Sequence, residues 1–183
     1  MNKLMGLMEF GKVPLILAIL LFCTVPVVAG ERYNGPWCSF EAPDGYTVVS
    51  TDDTQVLLQK IVSSNLGLLL SATRVKNINC AGDNVELYMK VYVNMLEEKL
   101  RESNTIGTQA YSNSSTIYAS KGPTAMNVRT YFNPNASMFN YAWCEGKDVV
   151  ILTLMWVGLT DPSNIEYYTN PLINAYNTFQ YYG

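Results

Sequence analysis

The run from Asp148 to Val157 is apolar at almost every position. At about ten residues it is half the length that a bilayer-spanning helix requires. A run that short, apolar on both faces, reads as a strand at the centre of a sheet with a layer packed on each side. Leu66-Gly67-Leu68-Leu69-Leu70 has the same character, within a strand expected over Leu66 to Arg74. Two such strands call for a sheet covered above and below, and the rest of the chain must supply the cover.

The remaining pattern supplies it. Phe40 to Tyr46 reads as a strand entering a Pro-Asp-Gly turn, with a second short strand through Ser50 and another over Gln55 to Ile61. Asp83 with Glu86 forms a capping-box pattern. From there Val85, Tyr88, Met89, Tyr92, Leu96 and Leu100 recur at helical spacing. Leu87, Met89, Val91, Val93 and Met95 also alternate as a strand would, but the Glu97–Arg101 spacing supports a helix through Glu102. Strands are then expected over Thr116 to Ser120, Ala125 to Phe132 and Met138 to Glu145, the last closing through the Gly146-Lys147 hairpin loop into Asp148 to Val157. Asp161-Pro162 and Asn170-Pro171 each carry a helix-start signal, giving a short turn and then a helix from Pro171 to Gln180. The expected fold is α+β: an antiparallel sheet covered by a mid-chain and a C-terminal helix, an α/β/α sandwich spanning residues 31–183.

Residues 1–30 stand apart. Val13 to Ala29 contains no charge, follows Lys3 and Lys12, and ends in the small residues Ala29 and Gly30. That is the pattern of a signal peptide or of an uncleaved N-terminal membrane anchor. Either form leaves the lysines inside and the body secreted, or anchored on the outer face of the cytoplasmic membrane.

Composition removes several chemistries. The chain has a net charge of −3, and no basic run suggests a nucleic-acid partner. It contains no histidine, which removes the commonest general base and the commonest transition-metal ligand. Asp52 and Asp53, near Asp44, form the only acidic cluster outside a helix and are weak candidates for a hard cation. The body carries Cys38, Cys80 and Cys144, none in a C-x-x-C pair. A Cys38–Cys80 bridge is one expectation and three reduced thiols the other. Asn113 and Asn135 head glycosylation sequons expected in loops. Of thirteen tyrosines, Tyr167, Tyr168, Tyr181 and Tyr182 crowd the C-terminus as a candidate contact surface.

In this order of elements the chain resembles the PsbP-like domains, which share a fold with Mog1-type proteins. The matching features are Phe40-x-x-Pro43-x-Gly45-Tyr46, the strand through Leu66 to Arg74, the helix after Asp83, the Gly122-Pro123 strand entry, the Gly146 hairpin and the terminal helix. They cover about residues 37–181, and they are turn residues and strand order rather than a catalytic signature. Tyr46 stands where the family usually has tryptophan. Founding members bind the oxygen-evolving complex and help to retain its ions through residues that include histidine, so no ion-handling residue carries over to this chain. The resemblance implies a fold and an accessory style of action: an exported, non-enzymatic module meeting an envelope protein or glycan, with no cofactor. The alternatives are an envelope enzyme using carboxylates or Cys144, and a structural envelope component.

Overall fold

The computed structural model describes residues 25–26, 32–63, 66–81, 84–132, 135–158 and 165–183, with side chains omitted at 25–26 and 165–168. Most of the predicted leader therefore lies outside the described residues. Its backbone at Val25–Pro26 is described as strand β1.

The main sheet is antiparallel and runs in the order β1-β4-β5-β6-β10-β9-β8-β7. Its members are β4 (Thr47–Thr51), β5 (Gln55–Ser63), β6 (Leu66–Val75), β7 (Thr108–Ala119), β8 (Gly122–Phe132), β9 (Ala136–Glu145) and β10 (Asp148–Gly158). The two apolar runs are neighbours at its centre, with Leu154 opposite Leu70 and Leu152 opposite Ala72. From Val149 to Trp156 every residue of β10 is buried. Gly146 makes the β9–β10 turn at φ +60°, a conformation that costs a residue with a Cβ.

Two layers cover this sheet. On one face lies α1 (Val85–Glu102), whose Val85, Met89, Val93 and Leu100 pack with Ala125, Met138, Ile151 and Met155. On the other lie α2 (Ile165–Thr178) and a small sheet of β2 (Arg32–Asn34), β3 (Cys38–Glu41) and β11 (Gln180–Tyr181), in the order β11-β3-β2. Trp37, Phe40, Leu172, Tyr176 and Phe179 pack there on Leu68, Leu70, Trp143, Leu152 and Trp156. The result is the expected α/β/α sandwich.

Four expectations need correction. The mid-chain helix begins at Val85 with Asn84 at the cap position and no side-chain cap. Glu86 pairs with Lys90 at 2.7 Å and accepts from the Thr116 hydroxyl; Asp83, the other half of the expected capping box, lies outside the described residues. The C-terminal helix runs through Pro171 rather than starting there, because Leu172, Ala175 and Tyr176 are buried and tertiary packing overrides the loss of one amide donor. β7 begins eight residues before the expected Thr116. Finally, the disulfide joins Cys80 to Cys144, not Cys38 to Cys80. The Ile78 and Cys80 amides both donate to the Lys147 carbonyl, which lays Cys80 against the β9–β10 hairpin beside Cys144. Both belong to the α1-side cluster, whereas Cys38 is buried on the α2 side with the sheet between. Burial pushes the Cys38 thiol up to about 12, against the pull of Arg74. It is a packing residue.

Candidate contact surface

The outer half of the main sheet is a long hairpin, β7–β8, extended by β9. In β8, Ala125, Asn127, Arg129 and Tyr131 alternate with Met126, Val128, Thr130 and Phe132, so the two sets face opposite sides. The first set turns to α1. There the Arg129 guanidinium meets Glu97 and donates to Asn94 Oδ1 at 2.7 Å, while Arg101 Nη2 holds the other Glu97 oxygen at 2.5 Å. Beside this pair a polar stripe crosses four strands. Thr153 donates to Asn140 Oδ1 (2.8 Å), Asn140 to Asn127 Oδ1 (3.3 Å), and Asn127 to Ser114 Oγ (2.9 Å). Buried polar groups need their partners, and a one-residue slip would break every link, so the stripe pins the register of β7 to β10.

The second set turns to the α2 side, where cover from the described residues runs out. α2 packs over β10, β9 and β3, and reaches β8 through the Tyr176–Thr124 hydroxyl pair at 2.9 Å. Beyond it Phe132 is 59% exposed, Tyr111 52% and Ile117 44%, and Met126, Val128 and Phe139 are half-buried. Register places Tyr111 opposite Thr130, Asn113 opposite Val128, and Val128 opposite Phe139, so these side chains share one face. No charged residue falls at any of these positions. Half-buried Tyr141 borders the shelf, its hydroxyl kept neutral by burial and by neighbouring Tyr176. An aromatic, methionine-bearing surface without charge has the composition of an interface centre rather than of an ordinary solvated face.

The anticipated residues are used differently. Asp52 Oδ1 accepts the Thr54 amide (2.6 Å), the Thr54 hydroxyl (2.8 Å) and the Gln55 amide (2.8 Å), closing the β4–β5 turn. Burial alone would raise its carboxyl; the Thr54 and Gln55 hydrogen bonds and nearby Lys76 outweigh that and hold it below the usual aspartate range. Asp53 lies 3.9 Å from Lys76. Among the described residues no group of three or more His, Cys, Asp or Glu is placed to hold a metal. Cys144, spent in the disulfide, is no candidate nucleophile.

Of the C-terminal tyrosines, Tyr167 and Tyr168 have side chains outside the described residues. Tyr181 belongs to a structural knot: its hydroxyl meets Asp148 and accepts from Arg74, which also lies over the Trp37 ring and holds the Gly183 carbonyl at 2.9 Å. Burial first, and then the Asp148 bond, raise the Tyr181 pKa. Only Tyr182 of the four is clearly exposed among the described residues. The exposed tyrosines that sequence reading passed over are Tyr111 and Tyr118, hidden in a polar segment without hydrophobic alternation. Asn113 is also there, exposed in β7 rather than in a loop, while Asn135 occupies the turn before β9.

A cleft of about 340 Å³ between the β3–β4 turn and α2 is lined by Asp44, Tyr46, Lys60, Leu68, Asn170 and Asn174, with prolines 43 and 171. Lys60 Nζ donates to the Asp44 carbonyl there. Asp52, Asp53 and Cys144, the groups an envelope enzyme was expected to converge, do not line it.

No family model matches the sequence, and no curated protein sequence matches it. Solved structures do resemble the fold. The cyanobacterial PsbP (CyanoP) of Synechocystis sp. PCC 6803 superposes with a TM-score of 0.58 at 11% identity, over 89% of this chain and 99% of that one. The Ran-binding protein Mog1p of Saccharomyces cerevisiae gives 0.49 at 11% identity, over 83% and 96%. LpqN of Mycobacterium tuberculosis, described as involved in cell envelope biogenesis, gives 0.47 at 8% identity, over 88% and 91%. The assignment rests on the first, and at that identity it concerns architecture alone: this chain has a PsbP-like fold.

Proposed function

We propose that this protein is an exported or membrane-tethered accessory module that acts outside the cytoplasmic membrane by protein–protein contact and not by catalysis. One observation carries the reading. An uncharged aromatic shelf, with Phe132, Tyr111 and Ile117 at its exposed positions, is left uncovered among the described residues, on a sheet whose register is locked from the opposite face. A preformed surface loses little conformational entropy on binding, so its affinity comes from a few buried anchors. The leader supports an extracytoplasmic site of action.

The test uses the full chain in the cells that make it, with a photo-crosslinking phenylalanine analogue at Phe132. The expected result is a discrete crosslinked membrane-fraction protein, absent when the analogue stands at Glu98 on α1. Phe132→Ser should weaken that association at least tenfold, as loss of an anchor worth about 1.4 kcal/mol would, and leave the melting temperature unchanged. Protease added outside intact cells should digest the body. Crosslinks that are equal at both positions, or a body shielded from external protease, would refute the proposal.

A further inference from the structure

Strand β7 closes the main sheet on one side, and nothing among the described residues pairs with its outer edge. It is 12 residues long and is exposed or half-exposed along its whole length. Open edges of this length usually carry a lysine, a proline or an inward-pointing charge that discourages pairing with another chain. From Thr108 to Ala119 there is no charged residue and no proline; the only irregularity is a bulge between Gln109 and Tyr111.

The side chains along that edge are complementary to themselves. A two-fold axis normal to the sheet makes antiparallel neighbours of two copies and preserves faces, so paired residue numbers must differ by an even amount. With Ser114 on the axis, Tyr111 of each copy lies opposite Ile117 of the other, joining the two exposed apolar residues that β7 contributes to the shelf face. Asn113 then faces Ser115, Ser112 faces Thr116, and Ser114 faces its own mate. Tyr118, 87% exposed on the α1 side, comes over the bulged Ala110. Moving the axis to Asn113 or Ser115 sets Tyr111 against Ser115 or Ala119 and loses the apolar pairing. No register brings like charges together. Seven residues per strand make a ladder of roughly 24 Å. Alternate pairs exchanging two bonds each supply about six to eight hydrogen bonds, within the range of standard interfaces.

We infer that two copies of this chain join through β7 about Ser114, forming one continuous sheet across the dimer. The contact is isologous and consumes the free edge of each copy, so it closes at two and builds no filament. The shelves of the two copies become neighbours on one side of the joined sheet, while Phe132 and Met126 remain outside the new contact.

The test is sedimentation of the full chain in mild detergent, combined with oxidative crosslinking in isolated membranes. Wild type is expected at twice the chain mass. Tyr111→Lys with Ile117→Lys puts like charges opposite one another twice and should give a single-chain mass while far-UV circular dichroism shows the fold intact; its melting temperature should fall only by the stabilisation that association supplies. Tyr111→Lys with Ile117→Glu should return the dimer, because each lysine then faces a glutamate. Ser114→Cys should crosslink to itself in high yield. Ser112→Cys should crosslink only when mixed with Thr116→Cys. A single-chain mass for wild type, a dimer that survives the double-lysine change, or a dimer in which Ser114→Cys does not crosslink would each overturn the inference. Loss of dimer with retained Phe132 crosslinking would leave the contact-module reading standing, so the two fail separately.

Discussion

Opening the Cys80–Cys144 bridge tests the architecture most directly, because the bridge ties the start of the α1 segment to the far end of β9. The two cysteines are 64 residues apart in sequence. Chain-entropy reasoning for a loop of that length gives about 4 kcal/mol at 25 °C, acting through the unfolded ensemble that the bridge constrains. With a denaturant slope of about 2 kcal/mol/M for a body of this size, the urea midpoint should fall by roughly 2 M. The assay is equilibrium urea unfolding of wild type with and without reductant, beside Cys80→Ala with Cys144→Ala. Reduced wild type and the double variant should coincide. Cys38→Ala should lose at most about 1 kcal/mol from a small buried cavity and keep its full sensitivity to reductant. The Cys38 thiol, held protonated near its raised value of about 12, should resist alkylation until the protein unfolds. A midpoint that ignores reductant, or a sensitivity that vanishes in Cys38→Ala, would refute the placement of Cys80 against the hairpin.

Two further expectations concern charge. Glu97→Gln should cost about 3 kcal/mol in urea unfolding, because it leaves the Arg129 guanidinium, 11% exposed, without its carboxylate; Glu97→Leu with Arg129→Met should recover most of that loss. Asp52→Ala should loosen the β4–β5 turn by about 1 kcal/mol, whereas Asp52→Asn keeps an acceptor oxygen and most of the stability. Since the folded Asp52 pKa lies below its ordinary value of about 3.9, its contribution is complete above that value and disappears as pH falls through the depressed one. Unfolding measured from pH 6 to pH 2 should lose that increment in wild type and not in Asp52→Asn.

What could be read from the chain followed burial. The central strands declared themselves because β6 and β10 are covered on both faces and need no polar alternation. The Gly146 hairpin and the helix face of Val85, Met89, Tyr92 and Leu100 declared themselves for equally local reasons. The missed elements are those held by their neighbours. Thr108 to Ser115 is polar on both faces and is a strand only because β8 pairs with it, and β2 and β11 are short strands that exist through β3. The disulfide was misassigned because spacing carries no information about which side of a sheet a cysteine will face. The tyrosine surplus was visible, yet its distribution depended on tertiary contacts that sent Tyr176 and Tyr181 inward and left Tyr111 and Tyr118 in solvent.

The two faces of β8 differ sharply in burial. Asn127 and Arg129 are buried against α1 and are tied to Asn140, Glu97 and Asn94. Their immediate neighbours Met126, Val128 and Thr130 face the open shelf and are only half-buried. Burial therefore cannot be the reason that this hairpin is so long, since β7 adds almost no apolar area to the core while exposing a 12-residue edge that invites pairing. A strand with that cost and so little stabilising return makes physical sense when its surface and its edge are the working parts. On the proposed contact reading, the polar stripe beneath it holds the shelf flat and in register, so that binding energy is not spent on ordering the hairpin.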